Sequence, residues 1–179
     1  MTPWGAVREI LSSLSALSGL HARAARGELQ GPELDRYRQE REVLTRVLLL
    51  LQQTGLDADQ LPRRALRVSR AVPVRLTSKG QILQPPTLDL SSSGFAAVFH
   101  CSLQVGEEVD VELLLPDGGP PVKARARTAD VRHHREGGLV RRVGFELLDV
   151  SMTDLERIEE LVFDAVLEQL GGPPAPPGG

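Results

Sequence analysis

The sequence predicts an α+β protein: an N-terminal helical hairpin, then a six-stranded antiparallel β-barrel, then one C-terminal helix. Three observations predict it. Through residues 1–60 apolar side chains recur every three or four positions. From Leu61 they recur mostly every second position, in short runs separated by glycine-bearing turns. Over 155–166 the three-to-four spacing returns. The expected boundaries are 1–58 for the hairpin, 59–170 for the barrel with its closing helix, and 171–179 for a disordered Gly/Pro tail.

The first helix carries Trp4, Val7, Leu11 and Leu14, with Leu17 and Leu20 continuing the face. Gly27 and the pair Gly31-Pro32 interrupt it. Pro32 suits the first turn of a new helix, and Glu33 and Asp35 favour its positive end. Leu34, Tyr37, Arg41, Leu44, Leu48 and Leu51 then form a heptad seam with one charged interruption, and Val43, Val47 and Leu50 widen the stripe. Gly55 follows as a stop. A hairpin this short has little core of its own. It must pack on the rest of the chain or on a second copy. The breadth of the stripe favours the second copy, so residues 1–58 are expected to form a homodimer or higher homo-oligomer.

The six expected strands are 72–78, 87–91, 95–101, 108–116, 122–132 and 139–150. Lys79-Gly80, Ser93-Gly94, Val105-Gly106, Asp117-Gly118-Gly119 and Gly137-Gly138 supply the turns between them. Short strands at this spacing suit a closed barrel, which also removes exposed edges. Ser151 is a plausible N-cap with Asp154 three residues on. Leu155, Ile158, Leu161, Val162, Ala165 and Val166 give the last helix its apolar face. The terminal "GGPPAPPGG" can form neither helix nor core.

Composition narrows the class. The chain is 41% hydrophobic and 25% charged but only 3% aromatic, so Leu, Val and Ala must build the core. No apolar run approaches the ~20 residues of a membrane span. The N-terminus lacks the basic, apolar and cleavage segments of a secretory signal. The single cysteine, Cys101, excludes an internal disulfide framework and fits a reducing compartment, so the expected location is the cytoplasm. The net charge of −3 argues against general nucleic-acid binding.

The distribution of charge says more than its sum. Residues 61–80 hold Arg63, Arg64, Arg67, Arg70, Arg75 and Lys79 with no Asp or Glu. Such a run is either a solvated linker or a receptor for a small, highly charged anion. Arginine dominates it, and the planar guanidinium fork suits phosphate oxygens and the N7/O6 edge of guanine.

Two motifs sharpen the second reading. "RRALR" places Arg63 and Arg67 four apart, a spacing that carries no information alone in a chain with 19 arginines. "DLSSSG" reads D-x-S-x-x-G through Asp89, Ser91 and Gly94 and is the more specific pattern. The arginines precede the first strand, and the second motif lies where one strand turns into the next. In this arrangement residues 61–168 resemble the PilZ domain family of bacterial cyclic di-GMP receptors. The segments "VGEEVDVELLLPDG" (105–118) and "VGFELLDVSMTDLERIEELV" (143–162) are similar to that family's strand and turn and to its last strand and closing helix. Residues 1–60 lie outside the resemblance.

The resemblance implies a ligand, cyclic di-GMP, no further cofactor, and a site of Arg63, Arg67, Asp89, Ser91 and Gly94. Arg64, between the motif arginines, joins it as an additional candidate. The chemistry agrees. An arginine fork can meet guanine N7 and O6 together or stack on its face. A carboxylate accepts from the N–H donors on guanine's other edge, so Asp89 can select guanine over adenine. The Ser91 hydroxyl donates or accepts, and Gly94 permits close approach or a positive φ. Ordering of the arginine arm around the ligand would reorient hairpin against barrel and so regulate a downstream protein. Ser91 has no sequence-identifiable histidine partner, and the adjacent His133 and His134 face opposite sides of a strand, so neither an enzyme nor a metal site is expected. The alternative is a nucleotide-independent interaction module acting through its hairpin.

Overall fold

The computed structural model describes residues 3–54, 64–100, 103–133 and 140–171. Arg63, Gly55, Cys101, His134, the turn at Gly137-Gly138 and the tail from Gly172 lie outside the described residues. The chain forms two compact units: Met1–Arg63 with Val166–Gly179, and Arg64–Ala165.

The first unit contains α1 (Pro3–Ala25) and α2 (Gly31–Thr54). Gly27 ends α1 with φ +69°, and the Gly27 and Glu28 amides donate to the carbonyls of Ala24 and Arg23. This satisfies the last turn as a glycine C-cap should. The helices meet near the turn through Leu17, His21, Leu29 and Tyr37, all buried. His21 Nδ1 and the Tyr37 hydroxyl share a 2.6 Å hydrogen bond, and Arg23 forms a forked ion pair with Glu33. The expected seam is only partly inside: Tyr37 is buried, but Leu51 is 60% exposed. Val43, Val47 and Leu50 are exposed as well.

The second unit is built on one antiparallel sheet. Its strands are β1 (Val74–Ser78), β2 (Gln81–Leu83), β3 (Thr87–Ser91), β4 (Gly94–His100), β5 (Glu108–Leu113), β6 (Val122–His133) and β7 (Val140–Leu148), in the order β2-β1-β5-β6-β7-β4-β3. All pairings are antiparallel. All six expected strands are present among the described residues, and a seventh, β2, is added. It is a three-residue return from β1 through Lys79 and Gly80, both at positive φ. So short a strand, followed by Pro85-Pro86, has no room to display an alternation.

Period-two patterning decides which side faces inward. Val74, Leu76, Leu90, Phe95, Val109, Val111, Leu113, Val122, Val143 and Phe145 are buried, and Phe95 stacks on Phe145 with centroids 4.9 Å apart. The sheet is curled, and no continuous ladder joins its two ends, β2 and β3, so the barrel is not closed by a seventh interface of paired strands. Two isolated bridges, Val68 with Leu90 and Pro73 with Pro86, instead tie the segment before β1 to the free edge of β3.

α3 (Met152–Leu170) follows β7. Ser151 caps it as expected: its hydroxyl accepts from the Asp154 amide at 3.1 Å and donates to the Asp154 carboxylate at 2.9 Å. Ile158, Leu161, Val162 and Ala165 are buried. Arg157 uses most of its donors in this region, reaching both Asp117 oxygens at 2.7 and 3.0 Å, Asp154 at 2.8 Å and the Pro120 carbonyl at 2.9 Å.

Candidate functional site

The segment leading into β1 is seated on β3 by a small set of backbone bonds. Val68 and Leu90 exchange both of theirs, at 3.0 and 2.9 Å. Further along, the Thr87 amide donates to the Val72 carbonyl at 2.9 Å. The Thr87 hydroxyl accepts from the Val72 amide at 2.9 Å and donates to the Arg70 carbonyl at 2.5 Å. A threonine can do both because its hydroxyl is donor and acceptor at once. Sequence reasoning passed over Thr87. Nothing in its local pattern distinguishes it from any other strand threonine.

On β3 the alternation turns Leu90 into the core and Asp89 and Ser91 to the other face. A bulge between Thr87 and Asp89 sets this register against β4. Ser91 closes a two-residue turn opposite Gly94. Its hydroxyl donates to the Gly94 carbonyl at 3.0 Å and lies 3.3 Å from the Ser93 hydroxyl. Gly94 is present for clearance, since a Cβ there would stand 2.0 Å from the Phe145 carbonyl oxygen. Of the two roles its sequence allowed, close backbone approach is the one the structure uses.

Asp89 is the centre of the arrangement. Its side chain is 16% exposed and faces two guanidinium groups. Arg142 of β7 donates from Nη2 to Oδ2 at 2.8 Å. Arg67 Nη1 stands 3.2 Å from Oδ1, an ion pair by distance. Even so, Oδ1 is buried and accepts no hydrogen bond among the described residues, so no N–H is well directed at it. A buried polar oxygen without a donor costs about 1–3 kcal/mol, more for a charged group, and so calls for an explanation; Thr128 Oγ1 is the other buried oxygen of this kind among the described residues.

The structure thus brings Arg67, Asp89, Ser91 and Gly94 into one neighbourhood. Arg64 is exposed at the start of the described segment, and Arg63 lies outside it. Of the other basic residues in the run, Arg75 pairs with Glu112 at 3.6 Å and Lys79 with Glu107 at 3.0 Å. Those two charges serve the sheet. Hydrogen bonds from Lys79, then from Ser78 and the Gln104 amide, hold the Glu107 carboxyl below its ordinary range. Arg142 was not among the expected site residues. Alternation does assign it to the outer face of β7, but its contact with Asp89 depends on strand order.

Among the described residues no group of three or more His, Cys, Asp or Glu is placed to hold a metal ion. No helix there is long and apolar enough to cross a membrane.

The second unit is therefore a small curled antiparallel sheet with an arginine-bearing segment laid along one edge, where Arg67 faces the Asp89 carboxylate. The PilZ domain model matches residues 62–164, more than half of the chain, and the chain belongs to the PilZ domain family. Solved structures with a similar fold include the Bacillus subtilis inhibitor of motility (MotI/DgrA), with TM-score 0.55 and 16% identity over 62% of this chain and 54% of that one. Escherichia coli YcgR in complex with c-di-GMP gives TM-score 0.50 and 22% identity over 60% of this chain and 47% of that one. The K. pneumonia MrkH–c-di-GMP complex gives 0.54 and 17% over 62% and 55%. The match spans about half the length of each of these proteins. No curated protein sequence matches the chain significantly.

Proposed function

We propose that this chain is a cyclic di-GMP receptor that couples nucleotide binding at its arginine segment to the regulation of a partner protein. The observation that carries the reading is the Asp89 carboxylate. It is nearly buried and flanked by arginines, and among the described residues no donor is well directed at Oδ1. Guanine supplies the missing N–H, and the phosphates of the dinucleotide supply acceptors for the guanidiniums. YcgR and MrkH, whose structures are named as complexes with c-di-GMP, support the choice of ligand.

In this reading Arg63, Arg64 and Arg67 bind phosphate and guanine, Asp89 selects guanine, and Ser91 and Gly94 shape the turn beneath it. The ligand acts by ordering the segment that joins hairpin to barrel. Since the chain from Val68 onward is already bonded to β3, that ordering concerns the residues before it. The exposed Val43, Val47, Leu50 and Leu51 on α2 support self-association through residues 1–58. The protein acts as a receptor, without catalysis of its own.

Isothermal titration of cyclic di-GMP, with cyclic di-AMP as control, tests the reading. Micromolar or tighter guanine-selective binding supports it and gives the stoichiometry. The absence of binding by calorimetry and by a second method rejects it, and the exposed α2 face would then mark the protein as a nucleotide-independent interaction module.

A further inference from the structure

Arg142 sits two strands from Asp89, because β4 lies between β7 and β3. Adjacent strands are ~4.8 Å apart, so the contact crosses about 10 Å of sheet, a span that needs a side chain as long as arginine. In register Asp89 faces Ala96, Ala96 faces Gly144, and Arg142 faces Val98. Val143 and Phe145 point into the core, which leaves Arg142 and Gly144 together on the other side of β7. The diagonal from Arg142 to Asp89 thus runs beside the two smallest residues of its row, Ala96 and Gly144. Nothing there obstructs the guanidinium.

The two carboxylate oxygens of Asp89 are in unlike states. Oδ2 is held by Arg142 at 2.8 Å. Oδ1 is buried and stands 3.2 Å from Arg67 Nη1, yet accepts no hydrogen bond of good geometry among the described residues. A carboxylate anchored through one oxygen cannot rotate freely, so the other keeps a fixed direction.

We propose that Arg142 is a positioning residue for nucleotide recognition: by holding Oδ2 it fixes the direction of Oδ1, the oxygen that guanine N–H donors reach as Arg67 turns from it to the ligand, and so sets the preference for guanine. This inference rests on the cyclic di-GMP reading above. It assigns part of the guanine selectivity to a strand outside both sequence motifs.

The test compares wild type, Arg142→Ala and Arg142→Lys by titration with cyclic di-GMP and with cyclic di-IMP, which lacks the 2-amino donor. Thermal melts check folding. A correctly placed polar pair discriminates by about tenfold or more. The expected result is a preference of that size for cyclic di-GMP in wild type. In Arg142→Ala the preference shrinks toward unity and affinity falls about tenfold, while Arg142→Lys recovers part of both. A folded Arg142→Ala protein with the wild-type preference overturns the proposal, whether or not its affinity drops, because loss of charge alone leaves selectivity untouched. Should the alanine variant not fold, the lysine variant is decisive: an undiminished preference there also overturns it. A wild type that binds neither nucleotide rejects the receptor reading itself, and this inference with it.

Discussion

Val68 and Leu90 exchange both backbone hydrogen bonds, at 3.0 and 2.9 Å, outside any regular strand ladder. Both side chains are buried, so their neighbours Arg67, Asp89 and Ser91 are turned to the opposite face. One pair of backbone bonds thus delivers a residue from each sequence motif to the same surface. The base of the arginine segment is fixed by the sheet, and in the receptor reading proposed above that lowers the conformational cost of binding.

That placement makes Arg67 and Asp89 the most direct targets. Arg67→Ala and Asp89→Asn should each weaken cyclic di-GMP binding by at least about 1 kcal/mol, the scale of a lost charged hydrogen bond. Arg63→Ala should behave similarly. Circular dichroism should report an unchanged fold, and calorimetry the loss. Wild-type affinity in all three variants would remove these residues from the site.

Gly94 is expected to act through stability. An alanine Cβ at 2.0 Å from the Phe145 carbonyl cannot be accommodated without shifting β4 against β7. Gly94→Ala should destabilise the protein by about 1–3 kcal/mol, as overpacking generally does. A urea titration measures this. A variant as stable as wild type would show that the β4–β7 contact is not as close as described.

The Asp117–Arg157 pair predicts a pH dependence. Hydrogen bonds from Arg157, and then from the Gly119 amide, hold the Asp117 carboxyl below its ordinary value. A carboxylate with a depressed folded pKa contributes stability above its unfolded pKa, about 3.9. That contribution disappears as pH falls through the folded value. Asp117→Asn should therefore melt below wild type at pH 7, and the difference should close in strongly acidic buffer. The side chain is substantially exposed, so the effect is small. A gap that persists unchanged at low pH would assign it to something other than the charge.

Self-association can be probed on α2. Val47 and Leu50 are 48% and 57% exposed, so charge at these positions disturbs little within one chain. Val47→Glu with Leu50→Glu should shift the protein toward monomer in light scattering after size exclusion. An unchanged mass would place any oligomer contact elsewhere.

Much of this molecule was legible in its residues. Alternation separated Leu90 from Asp89 and Ser91, and Val143 and Phe145 from Arg142. Glycine-bearing turns marked the strand ends, and the spacing of "DLSSSG" marked one half of the candidate site. The same spacing explains itself locally: Asp89 and Ser91 share a face, and Gly94 answers Ser91 across the turn. On α2 the spacing puts Leu51 in the seam, and within one chain it is exposed. A helical stripe says which residues share a face, not how far along that face a neighbour reaches.

Taken alone, then, the sequence determined the element types, the inward faces and the residues carrying the two motifs, because these follow from backbone periodicity and short-range turn chemistry. Tertiary structure decided the rest: that Thr87 clamps the segment before β1, that β2 adds a seventh strand, and that Arg142 meets Asp89. Each is a contact between residues far apart in the chain. Such contacts depend on strand order and register, which are set by how the whole sheet packs around Phe95 and Phe145 and are not written in any local pattern.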